Sequence, residues 1–406
     1  MNAPLIGARV LRKEDYRFLT GAGQYTDDVS LPNEAYAAFV RSPHAHANIR
    51  KISIEKAKSA PGVLGVYTGE NLATAKVGGL PCGWLITDVN GQPMKEPPHP
   101  CLAQGKVRYV GDHVAVVVAE SAAQARDAAE KVQVDYEPLP AVVDPSKASA
   151  GKPIHDLAPD NVCYVWALGD KAKVDEAFGK AAHVTKLEFI NNRLVPNAIE
   201  PRAAIGAYSR ADDAYTVYVT SQNPHVERLL MTAFVLGLPE HKVRVVAPDV
   251  GGGFGSKIYL YAEDVVVTWA SKQLGRPVKW TSDRSEAFLS DAHGRDHVTT
   301  AELAPERAQA RFDATLAYVR GSIEPRGGTL ETAFLAAGED SEGQARQYVC
   351  GTLIDGDRRH RAFISLATEG STNDLFQTDA GPREQHQVEQ RHHRHRPTRQ
   401  HRGHHQ

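Results

Sequence analysis

Residues 242–257 read KVRVVAPDVGGGFGSK, a valine-rich run that enters a loop with four glycines. The helical pattern YLYAEDVVVTWASKQL follows at 259–274, so this stretch predicts a strand, a loop and a helix in that order. The same order occurs just before it, with the strand AYTVYVT at 214–220 and the loop SQNPH at 221–225. The sequence therefore predicts two successive strand–loop–helix units.

The two loops are expected to lie together. Right-handed crossovers favour parallel strands in such units, and the carboxyl ends of parallel strands share one sheet edge, where ligands tend to bind. Gln222 lies in the first loop, and the glycines of 251–255 form the second. The helix after the first loop is expected to bury one apolar face, formed by Val226, Leu229, Leu230, Ala233 and Phe234.

The glycine loop fits neither of the common phosphate-binding motifs. A P-loop needs a lysine directly after its last glycine, but Ser256 stands before Lys257. A dinucleotide fingerprint needs a third glycine where Ser256 stands. Two interpretations remain on composition alone: a backbone that turns several N–H groups toward a bulky or anionic ligand, and a tight turn packed against another backbone.

An earlier segment, 107–140, reads as a buried strand, an alanine-rich helix opened by Ser121, and a second strand stopped by prolines. A proline-containing connector follows at 141–160. We therefore expect one domain at 1–145, a second at 146–303, and a divergent segment at 304–406.

The divergent segment differs in composition from the rest of the chain. Residues 1–300 contain 18 Lys and 15 Arg, whereas residues 301–406 contain 14 Arg and no Lys. Its end, RHHRHRPTRQHRGHHQ, has no means of building a core. A shifted reading frame or an unrelated fused tail would explain both features. Because the histidines follow no ligand spacing, a solvated, disordered tail is favoured over a metal or nucleic-acid site.

Charge and composition narrow the class of protein. A formal net charge of -2 supplies no positive field for nucleic acid, and no stretch of about 20 apolar residues could span a membrane. The start of the chain lacks the apolar core of a signal peptide. The four cysteines show no CxxC spacing, which argues against a zinc ribbon or an iron–sulfur cluster. We expect a cytoplasmic protein that binds neither nucleic acid nor membrane.

Several longer motifs in a fixed order resemble one family. They are RKEDYRFLTGAGQYTDDV (12–29), RSPHAHANI (41–49), EPRAAIGAY (200–208), TSQNPH (220–225) and DVGGGFGSK (249–257). They resemble the molybdenum-binding large subunit of the xanthine dehydrogenase, aldehyde oxidase and aerobic carbon monoxide dehydrogenase family. The resemblance covers roughly residues 7–303. It implies an α+β (mixed α/β) fold, in which an N-terminal hammerhead domain precedes the first part of a molybdopterin-binding domain.

The resemblance also implies the chemistry. Enzymes of this family use molybdenum held by a pterin to transfer a water-derived oxygen to a small substrate, such as an aldehyde or N-heterocycle, or to oxidise carbon monoxide. Gln222 matches the catalytic glutamine that hydrogen-bonds an oxo ligand. Gly252, Gly253, Phe254 and Gly255 match the backbone that binds the cofactor, expected here as molybdopterin cytosine dinucleotide. No side chain of this sequence is expected to ligate a metal.

The same resemblance implies partners. Electrons would leave through an FAD-binding medium subunit and a 2Fe-2S small subunit, because this sequence carries neither a cluster motif nor a nucleotide fingerprint. The assembly expected for a complete family member is a dimer of heterotrimers.

The sequence departs from the family after residue 303. It lacks the later arginine-containing AYRGAGRPE-like loop and the C-terminal glutamate that acts as general base, so a truncated or frameshifted member with impaired activity is expected. The alternative is a noncatalytic scaffold or docking remnant of such a complex. A nonfunctional product of a damaged gene is a third interpretation, and it predicts low solubility.

Other side chains have weaker functional signals. His44 and His46 have a spacing that could bind a metal from a strand, but a structural role is favoured. His225 is expected to support the Gln222 turn rather than act as a base. Glu263 and Asp264 are expected on an exposed or interfacial side of their helix.

Overall fold

The computed structural model describes residues 9–181 and 184–303, together with the backbone of three strands between 328 and 365. The chain divides into two compact units: Met1–Gly169 with Glu188–Thr299, and Asp170–Leu187 with Thr300–Gln406. The predicted divergent segment at 304–406 lies outside the described residues apart from those three strands. The expected domain limits at 145 and 303 stay predictions.

The segment predicted as strand, helix and strand is present, but its strands are not neighbours. The elements up to residue 138 are α1 (Asp15–Leu19), β1 (Ala35–Arg41), β2 (Ala47–Ser53), α2 (Glu55–Lys58), β3 (Val63–Thr68), α3 (Gly69–Thr74), β4 (Lys106–Val107), β5 (His113–Ala119), α4 (Ala122–Ala129) and β6 (Gln133–Pro138). Ser121 caps α4 by accepting a hydrogen bond from the Gln124 N–H. The buried strand β5 lies between β1 and β3, whereas β6 pairs with β2 in the three-stranded sheet β4-β2-β6.

The following elements contain both predicted strand–loop–helix units. They are α5 (Lys171–Lys180), β7 (Thr185–Asn191), β8 (Ala203–Ser209), β9 (Ala214–Val219), α6 (Pro224–Leu230), β10 (Val243–Val246), α7 (Ala262–Leu274), β11 (Val278–Thr281), α8 (Arg284–Ser290) and β12 (His297–Leu303). β7 and β12 form a two-stranded sheet. The strands β13 (Gly328–Glu339), β14 (Ala345–Asp355) and β15 (Arg358–Ser365) form an antiparallel sheet in that order.

A seven-stranded sheet holds the first unit together, in the order β10-β9-β8-β11-β1-β5-β3. β10 pairs parallel with β9, as the sequence predicted, so the loops that follow these two strands leave the same edge. β1 pairs parallel with β11 and antiparallel with β5. A strand from the N-terminal part of the chain, β1, and a strand from its later part, β11, therefore lie in one sheet.

The predicted apolar face of α6 is wrong. Val226, Leu229 and Phe234 are exposed, while Glu227 and Met231 are buried. The helix widens into a π-helical turn at Met231–Leu236, which shifts the residues after it around the axis. This irregularity accounts for the exposure of Phe234, which lies inside the π-helical segment. Val226 and Leu229 precede that segment, and of the predicted face Leu230 packs against the core.

Helix α7 is anchored by a buried carboxylate. Glu263 in its first turn is fully buried. Its Oε1 accepts a hydrogen bond from Arg41 Nη2 at 2.8 Å and lies 2.8 Å from His113 Nε2. Its Oε2 accepts from Arg202 Nη1 at 2.9 Å. Burial alone would raise the pKa of Glu263, but the charges of Arg202, His113 and Arg41 outweigh it and hold that pKa well below its usual range. Of the exposed or interfacial position expected for Glu263, the exposed one is therefore wrong; its partners Arg41 and His113 come from the N-terminal part of the chain and Arg202 from the later part.

The neighbouring carboxyl is buried without such compensation. Asp264 is 3% exposed, and burial together with the charge of Glu263 raises its pKa to about 7 despite the opposing charge of Arg202. Glu227 on α6 is 1% exposed, and neither of its carboxyl oxygens has a hydrogen-bond partner among the described residues. Burial, followed by the charge of Asp264, raises the pKa of Glu227 well above its ordinary value. The expected exposure of Asp264 is also wrong.

Replacing Glu263 should destabilise the fold at pH 7. Glu263→Gln keeps the shape but leaves the buried Arg41 and Arg202 without this counter-charge, so we expect a loss of about 3 kcal/mol in the free energy of unfolding. Denaturant unfolding measures it. Glu240→Gln, which breaks the exposed pair with Arg228, is the matched control and should cost less than about 1 kcal/mol. Equal effects of the two substitutions would contradict the anchoring role.

Asp264 should give stability a pH dependence of the opposite sign to that of Glu263. Because its pKa is higher in the folded protein, the folded state binds the proton more tightly, and the free energy of unfolding falls as pH rises from about 4 to 7. Asp264→Asn keeps the acceptor for the Tyr261 N–H. We expect this variant to match the wild type near pH 4 and to be more stable at pH 8, by up to about 4 kcal/mol. Unfolding curves at both pH values test this, and a variant less stable at pH 8 would refute it.

Candidate functional site

The two predicted loops are in contact. The Gln222 backbone N–H donates to the Lys257 carbonyl at 2.7 Å. The Gln222 side-chain Oε1 accepts from the Gly255 N–H at 3.0 Å and from the Lys257 N–H at 3.3 Å. The amide at 222 and the glycine backbone at 251–255 therefore lie side by side, which is the juxtaposition that parallel β9 and β10 predicted.

These contacts fix the direction of the Gln222 amide. Its oxygen must face the loop because the Gly255 and Lys257 groups are both donors. The Nε2 group is left as a donor with no acceptor among the described residues, on a side chain that is exposed. The loop thus presents a neutral amide donor to whatever binds beside it.

Two glycines are required by the geometry of the loop. A Cβ at Gly253 would lie 2.3 Å from Gln222 Cδ, so any side chain there would displace the glutamine. Gly252 has φ +97°, a backbone angle that only glycine adopts without steric strain. Phe254 follows with φ 50° and an exposed ring, a left-handed conformation that costs a non-glycine residue about 1–2 kcal/mol. The loop is held in a strained form around Gln222.

Three consecutive N–H groups at the centre of the loop remain free. The Gly252, Gly253 and Phe254 N–H groups donate to no described residue, whereas those of Gly251 and Gly255 are bound by Glu200 and Gln222. Beside Gly255 a Cβ would meet no atom within 4 Å. Successive backbone N–H groups without a protein acceptor are a feature of anion-binding loops. The residues present therefore fit a group with anionic oxygens or sulfurs.

One glutamate joins the two ends of the loop. Glu200 Oε2 accepts from the Gly251 N–H at 2.6 Å and lies 3.2 Å from Lys257 Nζ. The same Nζ donates to the Glu200 carbonyl at 2.7 Å, and Lys257 is 1% exposed. Burial lowers the pKa of Lys257, against the raising effect of Glu200. The ammonium of Lys257 is bound to Glu200 inside the protein. It is therefore not directed at a ligand, as the lysine of a P-loop is.

Sequence reasoning missed the anchor at the entrance of the loop. Asp249 is bound by both Arg17 guanidinium nitrogens, one of them at 2.7 Å from Oδ1. The Gln24 N–H donates to Asp249 Oδ2 at 2.8 Å, and the Asp249 N–H donates to the Gln24 carbonyl at 2.9 Å. Arg17, Gln24 and Asp249 all lie inside the motifs at 12–29 and 249–257, but no spacing rule connects residues more than 220 positions apart.

The histidines singled out by the sequence are not part of this loop pair. His46 is buried and its Nδ1 contacts the Pro140 carbonyl at 2.8 Å, while the His44 ring packs against Tyr136. His225 is exposed and makes no hydrogen bond to the Gln222 turn among the described residues, so the supporting role expected for it is not observed. In the described part of the chain, no group of three or more His, Cys, Asp or Glu side chains is placed to hold a metal ion.

Two family models match the chain. The aldehyde oxidase and xanthine dehydrogenase a/b hammerhead domain matches residues 20–140, and the molybdopterin cofactor-binding domain matches residues 154–311. The fold and the loop pair are thus those of a chain with a hammerhead domain followed by a molybdopterin-binding domain. This chain belongs to the aldehyde oxidase and xanthine dehydrogenase family.

Similar proteins include large subunits of several enzymes. The carbon monoxide dehydrogenase large chain of Afipia carboxidovorans is 38% identical over 315 residues, which are 74% of this chain and 37% of that protein. The nicotine 6-hydroxylase large subunit of Paenarthrobacter nicotinovorans is 36% identical over 301 residues, 74% of this chain and 36% of that protein. The structure of reconstituted CO dehydrogenase from Oligotropha carboxidovorans aligns with a TM-score of 0.66 at 38% identity, covering 73% of this chain and 37% of that chain.

The family and the mixed α/β fold predicted from the motifs are confirmed. The chain spans just over a third of the length of these relatives. None of the helices in the described residues is both long and apolar enough to cross a bilayer. The roles of Gln222, Gly252, Gly253, Phe254 and Gly255 stay predictions.

Adding one methyl group at Gly253 should displace Gln222. The side chain would have to leave its position and lose both hydrogen bonds to the loop, so Gly253→Ala should cost about 1–3 kcal/mol of unfolding free energy. Gly83→Ala is the control, since no atom lies within 4 Å of its Cβ position. Thermal and denaturant unfolding of both variants provide the measurement. If the two variants are equally stable, the close approach of Gly253 to Gln222 is wrong.

Proposed function

We propose that this chain is the cofactor-binding part of a molybdenum hydroxylase, with Gln222 and the loop 251–255 as the site that receives the metal–pterin group. One observation carries the proposal: an amide donor with a fixed direction lies beside three consecutive N–H groups that have no acceptor among the described residues. Family membership and the match of residues 154–311 to a molybdopterin cofactor-binding domain support it.

The residues of the loop would divide the work. The N–H groups of Gly252, Gly253 and Phe254 would donate to anionic atoms of the cofactor, without the desolvation cost of a buried cationic side chain. Gln222 Nε2 would donate one hydrogen bond and supply no competing acidic proton, since an amide does not ionise at neutral pH. The exposed ring of Phe254 would cover the bound group from solvent.

The bound molybdenum–pterin group would supply Lewis-acid and redox chemistry, for the transfer of a water-derived oxygen to a small substrate. We propose the cytosine dinucleotide form of the cofactor. One candidate substrate is carbon monoxide, because two relatives are carbon monoxide dehydrogenase large chains. N-heterocycles are the other candidates, because a third relative is a nicotine 6-hydroxylase large subunit. We place the protein in the cytoplasm.

We further propose an FAD-binding and a 2Fe-2S subunit as partners, in a dimer of heterotrimers. Its relatives carry names such as large chain, large subunit and complex subunit gamma. The described residues lack a cluster of cysteines that could pass electrons on. A noncatalytic scaffold or docking remnant of such a complex is the second candidate.

Purification of the full chain from a host that makes molybdopterin tests the cofactor assignment. We expect molybdenum, measured by mass spectrometry, and pterin, measured by fluorescence after oxidation, in equal molar amounts. Gln222→Glu keeps an oxygen for the Gly255 N–H but replaces the amide donor by a negative charge, so pterin content should fall about tenfold. Gln133→Ala, an exposed glutamine on β6, is the control and should leave it unchanged.

The outcomes separate the two candidates. A folded wild-type chain that contains neither molybdenum nor pterin, also when flavin and iron–sulfur subunits are coexpressed, would refute the cofactor site. If such a chain nevertheless purifies together with those subunits, the scaffold is the better description.

A further inference from the structure

The side chain of Lys257 and the carboxylate of Glu200 form a buried pair that the proposed chemistry does not use. Lys257 is 1% exposed, and its Nζ donates to the Glu200 carbonyl at 2.7 Å and lies 3.2 Å from Glu200 Oε2. Moving an ammonium out of water costs several kcal/mol, and only a well-formed set of partners offsets that cost. A buried lysine at the end of a strained loop therefore needs a structural reason.

The two residues contact the first residue of the loop and the glutamine beside the loop. Glu200 Oε2 accepts from the Gly251 N–H at 2.6 Å, and the Glu200 N–H donates to the Gly251 carbonyl at 3.2 Å. Seven residues into the loop, the Lys257 backbone accepts from the Gln222 N–H and donates to Gln222 Oε1. One carboxylate oxygen thus connects the first residue of the loop with the last, and the last residue holds the glutamine.

We propose that Glu200 and Lys257 are positioning residues, which close the loop 251–257 so that Gln222 Nε2 and the free N–H groups face the same side. The inference rests on the proposed function for its link to the cofactor, but the closure itself is a property of the protein alone. Glu200 Oε1 is buried with no partner among the described residues, so its second oxygen contributes nothing that would replace the bonds of Oε2.

The loop that Glu200 and Lys257 close contains one strained residue, Phe254. Phe254 at φ 50° would relax toward an ordinary backbone angle if the loop ends separated. Relaxation would break the hydrogen bond from the Gly255 N–H to Gln222 Oε1, and the side-chain amide of Gln222 would lose its fixed direction. Local opening of the loop should therefore increase when the pair is removed, while the sheet beneath it stays closed.

Hydrogen exchange of the full chain without cofactor tests the closure. In Lys257→Met, which keeps the length and loses the charge, the hydrogen-bonded amides of Gly251, Gly255, Ser256 and Lys257 should exchange at least tenfold faster than in the wild type. Those of β5 and the centre of α7 should be unchanged. Glu200→Gln should give a smaller increase, because its amide oxygen can still accept from Gly251. Lys257→Arg should restore part of the protection, as a purely packing role would not allow.

Lys95→Met is the matched control, since Lys95 pairs with Asp160 at 3.0 Å on the exposed surface. Unchanged exchange at the hydrogen-bonded amides of 251, 255, 256 and 257 in a folded Lys257→Met chain would overturn the proposal. If Lys257→Met does not fold, Glu200→Gln decides the question by the same measurement.

Pterin content links the closure to the cofactor. We expect Lys257→Met to bind about tenfold less pterin than the wild type, with the Lys95→Met value unchanged. Faster exchange in Lys257→Met with full pterin content would overturn the positioning role. A wild type without pterin, combined with faster exchange in the variant, would refute the proposed function while supporting the closure.

Discussion

The buried carboxylate of Glu263 is the constraint on which the rest of the first unit depends. An ionised group in the interior is tolerated only when charges and hydrogen bonds compensate the loss of water. Its partners come from distant parts of the chain: Arg41 and His113 from the N-terminal strands, and Arg202 from the position just before β8. Arg202 is in turn bound by Asp291 and stacked 3.6 Å from the centroid of the Tyr261 ring. These contacts therefore hold the first turn of α7 in place, and with it the end of the glycine loop that precedes this helix in the chain.

The glycine loop is strained because its two ends are fixed. Asp249 is bound to Arg17 and Gln24 where the loop begins, and Lys257 is bound to Glu200 where it ends. Between these points the backbone adopts left-handed angles, at a cost of about 1–2 kcal/mol for the phenylalanine. Protein groups bind the flanking N–H groups of the loop, whereas the central ones donate to no described residue.

The sequence predicted the contact between the two loops but not what fixes them. Parallel pairing of β9 and β10 follows from local patterns and crossover handedness, and it brings Gln222 beside the glycines. Glu263 was assigned to an exposed or interfacial face because helical periodicity records apolar residues, and its partner Arg41 stands 222 positions earlier. Phe234 was misassigned because a π-helical turn changes the number of residues per turn. Long-range ion pairs and helix irregularities leave no local signal, so those features could not be predicted.

The shared sheet makes the candidate site a property of both matched regions rather than of the cofactor-binding region alone. β1 lies between β11 and β5, so a strand from the N-terminal region separates the strands that carry the loops from β5 and β3. The entrance of the glycine loop is bound by Arg17 and Gln24 from the same region. A chain cut to residues 154–303 would expose one edge of β11 and lose both anchors. The N-terminal region is therefore part of the sheet and of the anchors that hold the loop beside Gln222, and is not a separate domain joined to them.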